Sequence, residues 1–327
     1  MSSSTSQALF YITIWITASC SMIMFNKAVL SSYDFPYPIF LTTWHMILST
    51  ILTQVLSRTT NLLPGVKEGK IDSTVIRTKI LPVALLFAVS LICANKAYLF
   101  LSVSYIQMLK ASTPVAVLGL SLVLGIENPT FIELNIVSLI SLGVALASVG
   151  ELLFSWTGFT FQVFAIIAEA SRLVLTGMIL KRYKLDSLST LYYVAPLCAC
   201  INGVCCLYFE SASLPWDRIL SSDFIGMLLV NGFVAFSLNI ATVMLISHTS
   251  PLTLTLAGIV KDILLVVLSM AIFKAPVTLL QFLGYSVALL ALNLHKEYKK
   301  SAAVLEAASK DSASHGGSKD GGNNSKA

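Results

Sequence analysis

The chain has 327 residues, of which 56% are hydrophobic and 11% are charged, and its formal net charge is +5. Soluble proteins average about 25% charged residues, so this composition excludes an ordinary soluble enzyme. Uncharged runs recur along the chain, and each approaches or exceeds the 17–25 residues that cross a hydrocarbon layer of about 30 Å. The composition therefore indicates a multi-pass protein whose partner is the lipid bilayer, not nucleic acid.

The apolar runs predict an all-α membrane protein with ten transmembrane helices, because only helices satisfy the backbone within such continuous segments. The predicted spans are 8–30, 36–57, 79–102, 104–126, 131–150, 157–181, 187–209, 223–247, 250–273 and 276–296. Residues 224–260 are too many for one span, and the polar stretch 247–251 divides them. We expect a ten-helix domain over 1–301 and a disordered, Gly/Ser-rich cytosolic tail over 302–327.

Basic residues are distributed unequally between the predicted loops. The loops 58–79 and 181–184 and the tail after Lys296 hold most of them, whereas the opposite side holds only Arg218 and Lys274. Lys and Arg favour the cytosolic side, so both termini are expected in the cytosol. Residues 1–10 contain no Lys or Arg, and Asn26-Lys27 follows the first apolar run, so neither a signal peptide nor a transit peptide is predicted.

The chain carries a weak internal repeat. A shift of 147 residues superimposes 127–130 on 274–277, each followed by one apolar span, and brings Pro114 onto Lys261. Because five is an odd number of helices, the second copy would be inverted in the membrane. We therefore predict a 5+5 inverted repeat, with repeat one at about 8–150 and repeat two at about 157–296. Secondary transporters of this kind bind substrate at the midplane between repeats.

Charged residues inside the predicted spans indicate the chemistry. An ionisable residue at the centre of a membrane helix costs about 2.5–3.5 kcal/mol, so it usually faces a cavity or a partner. The cations are Lys27, Lys96, Lys110, Arg172 and Lys261, and the anions are Glu169 and Asp262. This surplus of positive charge predicts an anionic substrate.

The positions of these charges suggest roles. Lys110 and Lys261 lie on corresponding helices of the two repeats, and we predict that both contact the substrate. Glu169 and Arg172 are three residues apart on one helix face and are expected to pair with each other, for gating or charge balance. Asp262 is interpreted as a gate latch or as charge balance.

Other polar side chains are weaker candidates. Lys96 fits a gate as well as a substrate contact. Tyr192 and Tyr193 begin the seventh span and can hydrogen-bond a sugar or stack on a base, although Tyr is also common at membrane interfaces. His45 is interpreted as a hydrogen-bonded packing residue, with proton coupling as the alternative because the ordinary pKa of His is close to physiological pH. All six cysteines lie in apolar spans, so no disulfide framework, metal site or cofactor is predicted.

Four segments carry a family resemblance, namely 107–115 (QMLKASTPV), 168–176 (AEASRLVLT), 191–196 (LYYVAP) and 257–263 (AGIVKDI). Together they resemble the triose-phosphate translocator and nucleotide-sugar transporter family of the drug/metabolite transporter superfamily, over about residues 8–297. The resemblance implies strict counter-exchange of a phosphorylated solute in a Golgi, endoplasmic reticulum or plastid membrane. Lys261-Asp262 resembles the Lys-Asp subgroup of that family, whose substrates are poorly defined.

The resemblance also implies roles for single residues. In the phosphate translocators a Lys on the fourth helix and a Lys on the ninth clamp phosphate, and these match Lys110 and Lys261. Plastid members follow the second Lys with Arg, where this chain has Asp262. They carry a substrate-binding Tyr where this chain has Leu238 beside Asn239, which makes Asn239 a candidate. These differences disfavour triose phosphate, and the missing Gly-Ala-Leu-Asn-Lys stretch of GDP-mannose carriers disfavours GDP-mannose.

Together with the charged residues, the resemblance implies a Golgi or endoplasmic reticulum antiporter that exchanges a nucleotide sugar or sugar phosphate for nucleoside monophosphate or phosphate. An intramembrane enzyme is disfavoured, because no span supplies more than one carboxylate beside a His. A regulatory or trafficking protein that keeps the fold without transport is the alternative. The sugar, the base, the counter-substrate and a homodimeric state are left open.

Overall fold

A computed structural model describes residues 3–69, 71–125, 130–183, 186–248, 251–274 and 276–316, and within these ranges the chain forms helices and no β-strand. The helices are α1 (Ser3–Lys27), α2 (Pro38–Thr59), α3 (Pro64–Lys67), α4 (Ser73–Val75), α5 (Leu81–Phe100), α6 (Val103–Lys110), α7 (Thr113–Val123), α8 (Phe131–Val149), α9 (Trp156–Tyr183), α10 (Ser187–Phe209), α11 (Trp216–Ile219), α12 (Ser222–His248), α13 (Pro251–Phe273) and α14 (Leu279–Gly316). Single π-helical turns follow α1 and precede α5.

The described chain contains eight helical segments that are long and apolar enough to cross a membrane, from Leu9–Ser32 to Ser222–Thr242. Many large apolar side chains on these helices, such as Leu142 and Phe164, are exposed on the protein surface. Such surfaces are suited to contact with lipid tails. The predicted all-helical, multi-pass membrane protein is confirmed, while the count of ten spans stays a prediction.

The main hydrophobic core joins the two halves of the chain. Its largest fully buried side chains include Phe35, Ile39, Leu101 and Tyr105 from the first half. The same cluster contains Leu265 of α13 and Ala288 of α14. Because helices that are distant in sequence share one core, the described helices form a single packed body.

A carboxylate from α10 caps the first turn of α2. The backbone N–H groups of Ile39 and Phe40 donate to the two Glu210 oxygens at 3.1 and 2.7 Å. The first N–H groups of a helix have no partner within the helix, and its positive dipole end favours an anion. Glu210 therefore ties the start of α2 to the end of α10, and the two helices pack against each other.

Helices α8 and α14 pack in antiparallel orientation. At one end the hydroxyls of Thr130 and Tyr298 lie 2.9 Å apart, and at the other the Thr278 hydroxyl donates to the Gly150 carbonyl at 2.8 Å. The backbones touch between these ends. A Cβ on Gly143 would lie 2.6 Å from the Gly284 carbonyl oxygen. Small residues permit such close approach in membrane helix pairs.

The end of α14 differs from the expected disordered tail. The helix passes the predicted limit at 296 and continues to Gly316. Residues 301–310 contain four Ala and one each of Leu, Glu and Lys, all of which favour helix, and they extend an existing helix without a new nucleus. The remaining tail, 317–327, lies outside the described residues.

The α8–α14 contact gives a stability prediction. Gly143→Ala places a methyl group against the backbone of α14, and overpacking of this kind costs about 1–3 kcal/mol. We expect a lower unfolding midpoint for the purified protein in detergent, followed by tryptophan fluorescence. Gly119→Ala in α7 is the matched control, because a Cβ there meets nothing within 4 Å. Equal midpoints for the two variants would contradict the described packing.

The Glu210 cap gives a pH prediction. Burial raises the pKa of the Glu210 carboxyl above its ordinary value of 4.5. The folded protein therefore holds this proton more tightly than the unfolded chain, so the contribution to stability is full below about pH 4.5 and is lost as pH rises through the raised pKa. We expect Glu210→Gln to make the unfolding midpoint fall less steeply with pH than in wild type. An unchanged slope would show that this carboxyl does not titrate as described.

Candidate functional site

A cavity of about 370 Å³ lies between α5, the junction of α6 with α7, and α9. Its apolar wall includes Phe87, Leu91 and Ile166. Its polar lining consists of Ser90, Lys110, Thr113, Gln162 and Glu169. One predicted substrate contact, Lys110, and one predicted charge-balance residue, Glu169, therefore line the same cavity.

A break between two helices positions Lys110. Pro114 has no N–H to donate to the Lys110 carbonyl, so the helix cannot continue unchanged. The Thr113 hydroxyl donates to that carbonyl at 2.7 Å, and the Ser112 hydroxyl donates to the Leu109 carbonyl at 2.7 Å. The sequence Ser-Thr-Pro thus interrupts the helix and satisfies the carbonyls that the interruption exposes, as a membrane interior requires.

The Glu169 carboxylate is held by Arg172 and Ser90. The Arg172 Nε donates to Glu169 at 3.0 Å, and the Ser90 hydroxyl donates to it at 3.2 Å. The pairing predicted from the i, i+3 spacing is therefore present. The Arg172 guanidinium also lies 4.6 Å from the centre of the Phe87 ring. Two partners thus occupy the carboxylate that shares the cavity lining with Lys110.

Lys110 forms no salt bridge within the described part of the chain. Its ammonium lies 6.0 Å from the centre of the Tyr98 ring and interacts electrostatically with Glu169. Lys110 and Arg172 carry two positive charges, and Glu169 carries one negative charge. This group has a surplus of one positive charge at the cavity wall and can therefore bind an anion.

Lys261 has a different environment. Its Nζ lies 2.9 Å from an oxygen of the adjacent Asp262, and 5.8 Å from the centre of the Trp15 ring of α1. Lys296 of α14 interacts electrostatically with both Lys261 and Asp262. This second group again combines two cations with one carboxylate, but here the predicted substrate-binding Lys pairs directly with its neighbour.

The remaining predicted residues lie apart from the cavity. Lys96 is 5.5 Å from the centre of the Phe161 ring and interacts electrostatically with Glu210.

The rings of Tyr192 and Tyr193 meet edge to face, 5.1 Å apart, and Tyr193 packs on a hydrophobic cluster. The Asn239 amide donates to the Ala235 carbonyl of its own helix at 3.0 Å.

Two other polar side chains have structural partners. The Lys27 ammonium donates to the carbonyls of Tyr98 and Leu101 at the end of α5, where a cation offsets the helix dipole. His45 contacts the Asn231 side-chain oxygen, which confirms its interpretation as a hydrogen-bonded packing residue.

Within the described residues, no cluster of three His, Cys, Asp or Glu side chains could hold a metal ion.

Sequence reasoning missed Gln162, Ser90, Trp15 and Lys296. Gln162 is a lone amide in an apolar span, and this isolation is the signal that could have singled it out. Lys296 was assigned to the basic tail because it lies at the end of a predicted span. Trp15 and Ser90 have no distinguishing pattern, and only the packing of α1 and α5 shows their positions.

Comparison with known proteins agrees with this architecture. The family model described as "Triose-phosphate Transporter family" matches residues 6–295. Three Arabidopsis thaliana proteins, each named "Probable sugar phosphate/phosphate translocator", are each 37% identical to this chain. The matches cover 90%, 88% and 88% of this chain and 88%, 86% and 82% of the respective relatives. The chain is therefore a multi-pass membrane transporter, not an enzyme, and belongs to the Triose-phosphate Transporter family.

Proposed function

We propose that this protein is an antiporter that exchanges a sugar phosphate for inorganic phosphate by alternating access. The observation that carries the proposal is the Lys110 ammonium, which lines a 370 Å³ cavity without a salt bridge in the described chain. A compact ammonium with three donors suits a phosphate group. Glu169 does not cancel this charge, because Arg172 already binds it.

The size of the cavity favours a compact substrate. Ligand pockets commonly measure about 300–1,000 Å³, and 370 Å³ is near the lower limit of that range. A sugar monophosphate therefore fits better than a nucleotide sugar. The printed names of the Arabidopsis relatives, which refer to sugar phosphate and phosphate, support the same choice.

We also propose ten transmembrane helices arranged as a 5+5 inverted repeat. Matching features at the starts of α8 and α14 support it. Thr130 forms a capping box with Glu133, and Thr278 makes the corresponding bonds with Gln281, 148 residues later and thus one residue beyond the shift of the sequence match. The two helices are antiparallel, as equivalent helices of an inverted repeat would be. The sequence match at 127–129 and 275 falls on residues outside the described ranges.

The proposed membrane is that of the Golgi or endoplasmic reticulum, with both termini in the cytosol. The excess of Lys and Arg in one set of loops supports this orientation. Asp262 stands where plastid members of the family carry Arg, which disfavours a plastid membrane.

The charge of the cavity supports obligatory exchange. Without substrate, the surplus charge at Lys110 would be enclosed uncompensated in a low-dielectric region whenever the carrier reorients around it. Charges in such regions are costly, so reorientation of the unloaded carrier should be slow. A bound phosphate removes this cost in both directions. A cation without a salt bridge in the cavity therefore supports the proposal of counter-exchange.

Reconstituted protein provides the test. We expect liposomes preloaded with phosphate to take up labelled phosphate much faster than empty liposomes. Lys110→Ala should weaken phosphate binding about 10- to 150-fold, which corresponds to the 1.5–3 kcal/mol of a charge-assisted hydrogen bond. Lys261→Ala should have a smaller effect, because Asp262 already compensates Lys261.

The matched control is Lys67→Ala, which removes a cation that binds exposed Asn61 away from the cavity. It should keep the exchange rate of wild type. Equal uptake into empty and loaded liposomes would contradict exchange. Wild-type phosphate affinity in correctly inserted Lys110→Ala would contradict the site.

The Glu169–Arg172 pair gives a second test, in which two substitutions should change phosphate affinity in opposite directions. Arg172→Gln releases Glu169, which can then pair with Lys110, and phosphate affinity should fall about tenfold or more. Glu169→Gln removes the negative charge, and phosphate affinity should rise. Isothermal titration of purified protein with phosphate measures both effects. A change of the same sign in both variants would show that the pair acts only on folding.

A further inference from the structure

Gln162 on α9 lines the same cavity as Lys110, and no part of the mechanism so far uses it. The residue is 0% exposed to solvent. Neither its amide nitrogen nor its amide oxygen has a hydrogen-bond partner in the described part of the protein. A buried amide without partners costs about 1–3 kcal/mol, so its retention in a cavity wall needs a reason.

The other uncharged polar groups of this wall are already engaged as donors. The Ser90 hydroxyl donates to Glu169, and the Thr113 hydroxyl donates to the Lys110 carbonyl. Each hydroxyl has only one proton to donate. Apart from the Lys110 ammonium, Gln162 is therefore the lining side chain with N–H groups still available, and its oxygen can accept as well.

We propose that Gln162 binds a hydroxyl group of the sugar while Lys110 binds the phosphate, so that Gln162 distinguishes sugar phosphates from inorganic phosphate. This inference rests on the proposed function. An amide both donates and accepts, and a sugar hydroxyl does the same, so the two groups are complementary. A Gln side chain rotates about three torsions and can turn its amide toward a hydroxyl without movement of the backbone.

Selectivity of this kind follows from the cost of unpaired polar groups. A site that hydrogen-bonds a hydroxyl rejects an analogue that lacks it, because the buried partner is then left unpaired. Inorganic phosphate has no sugar hydroxyl, so its contact with Lys110 is the same with and without Gln162. The two substrates should therefore respond differently to the loss of this amide.

The test compares Gln162→Met, which keeps an unbranched chain of similar size, with wild type in proteoliposomes. Labelled phosphate exchange against internal phosphate measures the phosphate KM. Competition by triose, pentose and hexose phosphates identifies the best sugar phosphate and its inhibition constant. We expect a phosphate KM within about twofold of wild type, and a sugar phosphate inhibition constant raised about 2- to 12-fold, the range for one neutral hydrogen bond.

Asn202 supplies a matched control. It is also 0% exposed, and both of its amide atoms lack partners in the described chain, but it is not among the residues that line this cavity. Asn202→Leu should leave the ratio of the two constants unchanged. The proposal is overturned if Gln162→Met leaves the sugar phosphate constant unchanged, weakens both substrates equally, or matches Asn202→Leu.

A measurement on wild-type protein covers the case in which Gln162→Met does not fold. Deoxy derivatives of the best sugar phosphate should include at least one that competes about 2- to 12-fold less well. Equal competition by all derivatives overturns the hydroxyl contact. Failure of the proposed function looks different, because wild-type protein would then show no exchange of phosphate at all.

Discussion

The hydrocarbon interior imposes one constraint on which the described structure depends, namely that no water is present to satisfy a polar group. Several interruptions of the helical backbone in the described chain are accompanied by a side chain that replaces the lost bond. Thr113 and Ser112 do so beside Pro114. Lys27 does so at the end of α5, and Glu210 does so at the start of α2. These residues fix the places where helices can begin, stop and carry a charge.

Within this constraint the two halves of the chain assemble similar sets of charges in different ways. One set combines Lys110, Arg172 and Glu169, and the other combines Lys261, Lys296 and Asp262. Each contains two cations and one carboxylate. In the first the carboxylate pairs with Arg172 and leaves Lys110 available, whereas in the second it pairs with Lys261 itself. The difference in ion-pair partner thus leaves Lys110 available for an anion, whereas Lys261 is compensated by Asp262.

The sequence was sufficient for the all-helical, multi-pass membrane class, because apolar length is a local property. It also identified Lys110 and the Glu169–Arg172 pair, since ionisable residues in apolar spans are few and i, i+3 spacing determines contact within a helix. It could not show which charges interact between helices, because the electrostatic interaction of Lys296 with Asp262 depends on the packing of α13 with α14. Gln162 lacks both charge and motif, and its importance depends on partners that are missing from the described fold.

The helical part of the tail illustrates a second limit. Composition gave disorder for 302–327, because the average over that segment is polar and rich in Gly and Ser. Helix formation depends instead on the local order of residues and on attachment to α14. The Ala-rich part adjoins the helix and continues it to Gly316, which an average over the whole segment does not indicate.

The glycine contact between α8 and α14 has a mechanical consequence. Side chains that interdigitate can slide or change rotamer, but two backbones in contact have nothing between them that can rearrange. The Gly143–Gly284 contact should therefore be rigid, and α8 and α14 should move together as one rigid pair. The relative motion that opens one side of a carrier and closes the other must then fall to other helices. The helices that surround Lys110 include a break at Ser112-Thr113-Pro114, so they can bend more easily than the rigid pair of α8 and α14.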